Sequence, residues 1–537
     1  MIWQGVPLGF DRDGRPIDYS AADDGGGNAP TLVFGPPGSF KTVGLVATQL
    51  LDEPGERSFV VIDPKGEICA VTSRYRRRVS DVKIINPYGL LVDERPDMKS
   101  DGFNPLNDLD PTALGFGDDC QAKGDAMIRT GSNEHQPHFP DSARSGSTAT
   151  IMYEVRDADA HIPPIPRSLP QVRGILTQGP EKLKASIEKM VNSGDYDIAT
   201  RAAKFLAATN EIESIKSTIE TQTAWMTKPM RDDMTTKGGV DFRNCTKRAT
   251  TVYVIIPATE LQAKATYLRL VLSSALRALY RQGGIPTTLL IEEAFVLGYH
   301  AEIEQALSIL RGFGSRMTVV FQSLQQIKKL YPDTWGLFTA GAVLAFRPAD
   351  TSDTGKWLVE RAGKVTVPVY GAQEPRPGEL VPGGGWQQRE RERIPLAKML
   401  GMPKGRAVVW KPGDDAPRHA RVKGYFEIPK LNARADPNPY FTGGKAAAPG
   451  RRKMTAALAA AVAVGIAGAV LFNGAGAPVL DAFRAAASWV QSSAPGSSSV
   501  ACCSAGRSGG SGGVPLPVGS KWTKPVHPPI GVLSRKP

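Results

Sequence analysis

The chain has 537 residues, of which 41% are hydrophobic and 22% charged. These values exclude a disulfide-stapled miniprotein and a largely disordered chain, and they predict about two to four globular domains. The net charge of +12 is unevenly placed, because residues 451–537 carry nine Lys or Arg and one acid, which leaves +4 for residues 1–450. Overall basicity is therefore weak evidence for a nucleic-acid-binding protein.

The cysteines and the N-terminus indicate a reduced, cytosolic main body. Cys69, Cys120 and Cys245 are widely separated and lack the spacing of metal ligands. Met1 is followed by neither the basic segment nor the apolar segment of a secretory signal peptide. We expect the N-terminus to begin in the cytoplasm.

The first motif in chain order lies in residues 31–51, TLVFGPPGSFKTVGLVATQLL, which read as a strand, a turn and a helix. This is the context of a P-loop. Backbone N–H groups would hold the β-phosphate of ATP, Lys41 would reach the β and γ oxygens, and the Thr42 hydroxyl would bind Mg²⁺. The alternative is a glycine-rich turn with an incidental Lys-Thr pair. The predicted nucleotide-binding residues are Gly35, Pro36, Pro37, Gly38, Ser39, Phe40, Lys41 and Thr42.

Two charged segments follow the P-loop. The segment FVVIDPKGE (59–67) reads as an apolar strand whose carboxyl end places Asp63, Lys65 and Glu67 along a ligand-binding rim, unless they form a solvated loop. The segment RYRRR (74–78) either contacts a phosphate backbone or forms a solvated helix face.

The middle of the chain is predicted to be helical. Between about 110 and 248 no strand-like alternation occurs, and helical patterns are clearest at 181–193 and 197–226. The segment VYVIIP (252–257) then reads as a strand, and residues 260–282 as an amphipathic helix.

A second acidic motif supports the nucleotide site. The segment TTLLIEEAFVLG (287–298) reads as a buried strand ending in two carboxylates, of which Glu292 would bind Mg²⁺ and Glu293 would polarise the attacking water. The segment 315–327 predicts a strand ending in Gln322, which would sense the γ-phosphate or orient water. Because Phe40 replaces a consensus glycine and Glu292 the usual aspartate, a site that binds nucleotide without efficient hydrolysis is the alternative.

Three arginines near these strands are candidates for other contacts. Arg311 and Arg316 flank two glycines and are candidates for phosphate or inter-subunit contacts. Residues 340–348 read as a further strand with Arg347 at its tip, and the charged run RERER (389–393) reads as a solvated strand or helix edge.

One segment is a candidate membrane span. Residues 454–472, MTAALAAAVAVGIAGAVLF, contain no charge and are long enough to cross a bilayer core of about 30 Å. Five basic residues precede the span within twenty residues and one follows, which predicts a cytoplasmic N-terminal side. The alternative is a buried alanine-rich helix. The tail at 473–537 is of low complexity and is expected to be disordered beyond 491 and to place Cys502 and Cys503 outside the cell.

Eight segments occur in order along the chain: GPPGSFKTVG, VVIDPKGE, NPYG (86–89), FNPL (103–106), VYVIIP, LLIEEAFVLG, LRGFGSRMTVVFQSLQQI with LYPDTW, and GRAVVWKPGDDAPRHARVKGYF (405–426). Together they resemble the type IV secretion coupling ATPases, the TraG-like conjugal transfer proteins. The resemblance covers about 30 to 430. VVIDPKGE and the block from RGFG to FQSLQQ are its most specific parts.

The resemblance implies an α/β fold: a RecA-like P-loop NTPase domain interrupted by an all-α domain. The sequence pattern itself adds one C-terminal transmembrane helix, whereas the family usually has two ahead of the P-loop, and a disordered tail. The resemblance also implies a homo-hexamer at the bacterial inner membrane that passes DNA, with relaxase or effector proteins, to the channel proteins of a type IV secretion system. Lys41, Glu293 and Gln322 would be catalytic, with ATP and Mg²⁺ as cofactors. The DNA is expected to be single-stranded and bound independently of sequence.

These patterns divide the chain into six segments. The expected boundaries are 1–110 and 249–430 for the two parts of the NTPase domain, 111–248 for the all-α insert, 431–453 for a basic linker, 454–472 for the membrane helix, and 473–537 for the tail. We predict a single-pass membrane ATPase with a cytoplasmic catalytic domain that drives substrate into a secretion channel. Two alternatives are a weakly catalytic adaptor that recruits substrate and a DNA pump unrelated to secretion.

Overall fold

The structure is a computed structural model, and it describes part of the chain. It describes residues 1–440 except for 21–22, 24–28, 130–137, 157–166, 208–210, 282–283, 349–352 and 373–383. The candidate span at 454–472, the low-complexity tail and Cys502 and Cys503 therefore lie outside the described residues. Within them, no helix has the length and apolar character needed to cross a membrane.

Short apolar runs form the strands. The described residues contain β1 (Val6–Phe10), β2 (Pro16–Tyr19), β3 (Thr31–Phe34), β4 (Ser58–Ile62), β5 (Asp81–Ile85), β6 (Thr250–Val254), β7 (Thr287–Ile291), β8 (Arg316–Phe321), β9 (Val343–Phe346), β10 (Lys364–Ala372), β11 (Gly384–Glu392), β12 (Arg406–Trp410) and β13 (Arg418–Arg421). Every residue of β3, β4, β6, β7 and β8 is buried, as expected for strands covered on both faces.

Eleven of these strands form one sheet in the order β2-β1-β13-β12-β9-β3-β8-β7-β4-β6-β5. The seven strands from β9 to β5 are parallel, and β12, β13, β1 and β2 extend the sheet by antiparallel pairing. The carboxyl ends of β3, β8, β7 and β4 consequently meet at one edge, which is where open α/β sheets bind ligands. Strands β10 and β11 pair only with each other in the described part of the chain.

Helices cover the sheet and fill the middle of the chain. They are α1 (Ala47–Asp52, after a π-helical turn at Thr42–Val46), α2 (Glu67–Val79), α3 (Phe116–Met127), α4 (His138–Arg156), α5 (Leu169–Leu176), α6 (Pro180–Val191), α7 (Tyr196–Ala207), α8 (Ile212–Gln222), α9 (Lys228–Met234), α10 (Asn244–Lys247), α11 (Ala265–Arg281), α12 (Ala301–Ile309), α13 (Leu324–Leu330), α14 (Thr354–Ala362), α15 (Leu396–Leu400) and α16 (Pro429–Asn432). Between β5 and β6 the described residues form helices and no strand.

The alternation of side chains along the strands divides the core between the two faces of the sheet. Val60 and Ile62 of β4 pack into the cluster that contains α11 and the helices between β5 and β6. Phe59 and Val61 of the same strand pack into the cluster that contains the P-loop helix and α2. The sheet is therefore buried on both sides, and its carboxyl edge is left to hold the functional loops.

The predicted α/β class with a large parallel sheet is confirmed. The amphipathic helix predicted at 260–282 begins later, at Ala265, because residues 257–264 form turns. The strand and helix predicted within 315–327 are β8 and α13.

The basic run at 74–78 lies on α2 and is only partly the predicted solvated helix face, since Arg77 and Arg78 are exposed and Arg76 is not. Arg76 is fully buried in α2 and lies over the ring of Phe59, 5.0 Å from its centroid. Its guanidinium donates to Thr251 Oγ1 at 3.0 Å and to the Glu53 carbonyl at 2.9 Å. Arg74 pairs with Asp436, so two members of the run tie α2 to other parts of the fold.

Replacing Arg76 by alanine is expected to lower the free energy of unfolding by about 3 kcal/mol, because it leaves buried acceptors without donors and opens a void. Arg78 is exposed at the end of the same helix and provides a matched control. Arg78→Ala is expected to change stability by less than about 0.5 kcal/mol. Urea unfolding of the two variants beside the wild type measures both effects, and equal losses would contradict the role given to Arg76.

Candidate nucleotide site

The P-loop connects β3 to the helical segment that begins at Thr42. Gly38 and Phe40 both have left-handed backbone conformations, with φ of 75°. Glycine adopts this conformation without strain, whereas phenylalanine does so at a cost, and such strain concentrates at functional sites. The loop opens onto a cavity of about 280 Å³ lined by Pro37, Gly38, Ser39, Phe40, Lys41, Thr42, Val43, Lys65, Glu67, Glu292, Glu293, Lys404, Phe426 and Tyr440.

Lys41 lies inside the loop with its ammonium group buried. Its Nζ donates to the Gly35 carbonyl at 2.6 Å and to the Pro36 carbonyl at 2.8 Å. Burial lowers the pKa of Lys41, while the nearby carboxylates of Glu293 and Glu292 raise it. The ammonium is thus held among backbone oxygens beside two acids, in a position from which it can exchange those oxygens for phosphate oxygens.

The two residues expected to bind Mg²⁺ contact each other. Glu292 follows β7, is only 7% exposed, and accepts a hydrogen bond from the Thr42 hydroxyl. Burial raises the pKa of Glu292 to about 7, against the opposing effect of the Thr42 hydrogen bond. A hydroxyl and a carboxylate are oxygen ligands of the type that Mg²⁺ prefers, so the longer glutamate side chain fits this pair of ligands.

Glu293 and Gln322 also meet. The Gln322 side-chain amide, after β8, donates to Glu293 Oε2 at 3.0 Å. Glu293 has φ of 56° and ψ of 46°, a left-handed conformation that is costly for glutamate. This conformation turns Glu293 into the cavity directly after the buried Glu292, so two consecutive acids reach the same cavity with different partners.

The three charged residues predicted to form a rim in the segment 59–67 differ in burial. Lys65 and Glu67 line the cavity, as the sequence predicted. Asp63 is fully buried beneath them, and one of its carboxylate oxygens accepts the Cys69 N–H at 2.8 Å. Burial is the main reason that the pKa of Asp63 is raised to about 8, and the Cys69 N–H opposes the rise.

The raised pKa of Asp63 predicts a pH-dependent stability. The folded state holds this proton at a pH where the unfolded chain releases it, so unfolding releases a proton and stability falls as pH rises from about 4 to 8. The contribution is about 1.4 kcal/mol per pH unit in this window. Asp63→Asn should remove it while keeping an oxygen to accept the Cys69 N–H.

Urea unfolding from pH 5 to 8 tests this prediction, with the exposed Asp13→Asn as the control. The difference in unfolding free energy between wild type and Asp63→Asn should grow with pH, and the Asp13 variant should keep the slope of the wild type. A constant difference across the range would contradict the assignment.

Distant residues that the motifs did not identify complete the cavity wall. Tyr440 donates its hydroxyl to the Lys65 carbonyl at 2.9 Å, and the Asn438 amide donates to Glu67 Oε1 at 2.7 Å. Lys404 and Phe426 contribute from the other side. Phe426 belongs to the segment 405–426 and Asn438 and Tyr440 to the expected basic linker at 431–453, and neither segment indicated a role at the nucleotide site.

The candidate arginines lie in different places. Arg316 begins β8, at the edge of the sheet opposite the cavity, and is buried there with its guanidinium donating to Thr288 Oγ1 at 3.3 Å. Burial lowers the pKa of Arg316 to about 9. This position contradicts the phosphate contact predicted for Arg316, and its inter-subunit contact stays a prediction. Arg347 is exposed at the carboxyl end of β9 and lines a smaller cavity of about 120 Å³ beside the P-loop.

The family model described as type IV secretory system conjugative DNA transfer matches residues 12–436. The chain belongs to this family. It is 25% identical over 354 residues to the conjugal transfer protein TraG of Rhizobium radiobacter, which covers 64% of this chain and 53% of that protein. The TraG protein of Agrobacterium fabrum is 24% identical over the same length, covering 64% of this chain and 52% of the relative. This family member spans about half the length of the curated relatives it matches.

Solved coupling proteins share its fold. The bacterial conjugative coupling protein TrwBdeltaN70 in its unbound form has a TM-score of 0.59 at 15% identity, covering 78% of this chain and 88% of that one. The plasmid coupling protein TrwB in complex with ADP and Mg²⁺ has a TM-score of 0.55 at 15% identity, covering 78% and 89%. At this identity the likeness establishes the mixed α/β fold.

Proposed function

We propose that the chain is an ATPase that uses Mg·ATP to deliver DNA, with any attached relaxase or effector protein, into a type IV secretion channel. The observation that carries this proposal is the meeting of Lys41, Thr42, Glu292 and Glu293 around one cavity, with Gln322 bonded to Glu293. These side chains come from three separate loops. Their types match the needs of phosphoryl transfer, which requires a cation, ligands for a metal ion and a group that orients water.

Each residue has a distinct role in the proposed reaction. The N–H groups of the P-loop and the Lys41 ammonium hold and stabilise the β- and γ-phosphates. Thr42 and Glu292 would hold Mg²⁺, which would supply the charge that neutralises the phosphate oxygens. Glu293 orients the attacking water and takes up its proton, and Gln322 fixes the Glu293 carboxylate and senses the γ-phosphate. An arginine from a neighbouring subunit would complete the site.

The family supports a proposal for the cargo and the surroundings. Type IV secretory conjugative DNA transfer is the description of the matching family, and the aligned relatives are conjugal transfer proteins. We therefore propose single-stranded DNA as the main cargo, channel proteins of the inner membrane as partners, a homo-hexamer as the working form, and attachment to the bacterial inner membrane. The helices between β5 and β6 would form the substrate-facing all-α insert, and residues 454–472 the single membrane span with the ATPase domain in the cytoplasm.

Transfer of DNA from donor cells tests the proposal. Deletion of the gene should reduce transfer of the plasmid or element that encodes it to background, the wild-type gene should restore it, and Lys41→Ala should fail to do so despite equal protein levels. Isolation of the tagged protein from donor membranes should recover inner-membrane channel components. Normal transfer with Lys41→Ala would contradict an ATP-driven role, and the absence of channel components would favour a DNA pump unrelated to secretion.

A further inference from the structure

One end of the nucleotide cavity is aromatic and cationic. Phe40, Val43, Lys404 and Phe426 line this end. The ring centroids of Phe40 and Phe426 are 6.2 Å apart, and the Lys404 ammonium lies 5.0 Å from the centroid of the Phe40 ring. We call Phe40, Lys404 and Phe426 the aromatic platform. Both rings are half-buried and Lys404 is exposed, so the platform is partly open to solvent.

The P-loop fixes which part of a nucleotide would reach this platform. With the γ-phosphate beside Glu293 and the β-phosphate on the loop, the α-phosphate and ribose lie toward the first turn of the helix after Lys41. Val43 belongs to that turn, and it packs in the same apolar cluster as Phe426. The ribose and base of a bound nucleotide would therefore lie next to the Phe426 ring.

We propose that the aromatic platform binds the nucleobase by stacking, and that it accepts purine nucleoside triphosphates without discriminating adenine from guanine. This inference rests on the proposed function, because it assigns a subsite to the nucleotide. A base is a flat aromatic surface, and stacking on an aromatic side chain is favourable whichever base is present. The Lys404 ammonium adds attraction to the π-faces of the ring and base.

The unusual residue in the P-loop is explained by this platform. The left-handed conformation of Phe40 is strained, and its ring contacts Phe426 and Lys404 rather than filling the space for the phosphates. The favourable contacts of the Phe40 ring offset the cost of its left-handed backbone conformation. A bulky residue in the consensus glycine position thus becomes part of the base subsite and is compatible with phosphate binding.

The lack of discrimination follows from the side chains at this end of the cavity. Phe40, Val43 and Phe426 offer no hydrogen bond, and Lys404 is only a donor on a long flexible stem. Strong selection between bases requires buried groups that pair with a particular base edge. We expect the Kd values for Mg·ATP and Mg·GTP to agree within about threefold, because stacking tolerates either base.

Calorimetric titration of the full chain with Mg·ATP, Mg·GTP and Mg·tripolyphosphate tests the platform, since tripolyphosphate has no base. Phe426→Ala should raise the Kd for both nucleotides by at least about fivefold and leave that for tripolyphosphate within about twofold. Phe426→Trp should restore nucleotide binding. Lys404→Ala, at an exposed position, should weaken nucleotide binding by about two- to fivefold without affecting folding. The exposed Lys398→Ala is its control.

The outcomes separate this inference from the proposed function. An equal loss of nucleotide and tripolyphosphate in folded Phe426→Ala, or unchanged nucleotide binding in both Phe426→Ala and Lys404→Ala, would overturn the platform while leaving the P-loop function intact. A preference for one purine of more than about tenfold would overturn the lack of discrimination. Wild-type protein that binds neither tripolyphosphate nor nucleotide would overturn the proposed function itself.

Discussion

Lys41→Ala is expected to lower kcat/KM for ATP hydrolysis by about 100- to 1000-fold, because the ammonium stabilises charge that develops on the transferred phosphoryl group. In the structure the same group donates to the Gly35 and Pro36 carbonyls. Binding of a triphosphate would replace these carbonyl oxygens by phosphate oxygens of greater negative charge. The measurement is steady-state release of phosphate by the purified full chain.

The exposed Lys99→Ala is the matched control for Lys41→Ala, since it removes the same charge outside the cavity. Its turnover should equal that of the wild type. Thermal unfolding of both variants checks that the loss of the buried Lys41 contacts has not unfolded the domain. Retention of more than about a tenth of the wild-type rate by folded Lys41→Ala would contradict the assignment of this loop as the phosphate site.

Glu293→Gln is expected to lower kcat by about 100- to 10,000-fold and to leave the Kd for Mg·ATP within about twofold of the wild type. Glutamine keeps the size of the side chain and loses the ability to accept a proton from water. The Gln322 amide, which donates to Glu293 at 3.0 Å, would still find an oxygen to bond. Single-turnover hydrolysis and equilibrium binding separate the two effects.

Comparing Glu293→Gln with Glu292→Gln separates the activation of water from the binding of Mg²⁺. The exposed Glu213→Gln is the control and should change neither. Because Glu292 contacts the Thr42 hydroxyl, its loss should raise the Mg²⁺ concentration needed for half-maximal binding. Glu293→Gln should leave that concentration unchanged. If Glu292→Gln abolished turnover without altering Mg²⁺ dependence, and Glu293→Gln raised the Mg²⁺ concentration needed for half-maximal binding, the two roles would have to be exchanged.

Sequence reasoning reached the phosphate end of the site because that end is assembled from local patterns. Glycine-rich loops and acids that follow apolar runs are visible in a single segment, and parallel strands place such loops at the same sheet edge. The sheet brings residues as far apart as Thr42 and Glu292 into contact. Their proximity therefore follows from recognising β3 and β7 as strands of one parallel sheet, with only β8 between them.

The aromatic platform at the other end of the cavity could not be predicted from local sequence patterns. Lys404 and Phe426 belong to segments before β12 and after β13, and their position depends on antiparallel strands that return to the sheet beside β9. No spacing or composition rule links them to the P-loop. Their contacts with Phe40 appear only when the two distant parts of the chain are folded together.

The sequence analysis also failed to predict which arginines are buried. Arg76 and Arg316 look in sequence like exposed cations, because arginine is seldom fully buried. In the fold each is enclosed with hydroxyl or carbonyl acceptors that are supplied by neighbouring strands and loops. Burial of this kind depends on partners from other segments, so a charge run taken alone could not reveal it.

The measurement that bears most directly on the proposed motor is ATP hydrolysis by the purified full chain, with and without single-stranded DNA, beside Lys41→Ala. We expect turnover that DNA stimulates and that Lys41→Ala abolishes. Binding of Mg·ATP without turnover, in protein shown to be oligomeric and in the presence of DNA, would contradict the motor and would leave a recruiting adaptor that uses nucleotide for assembly.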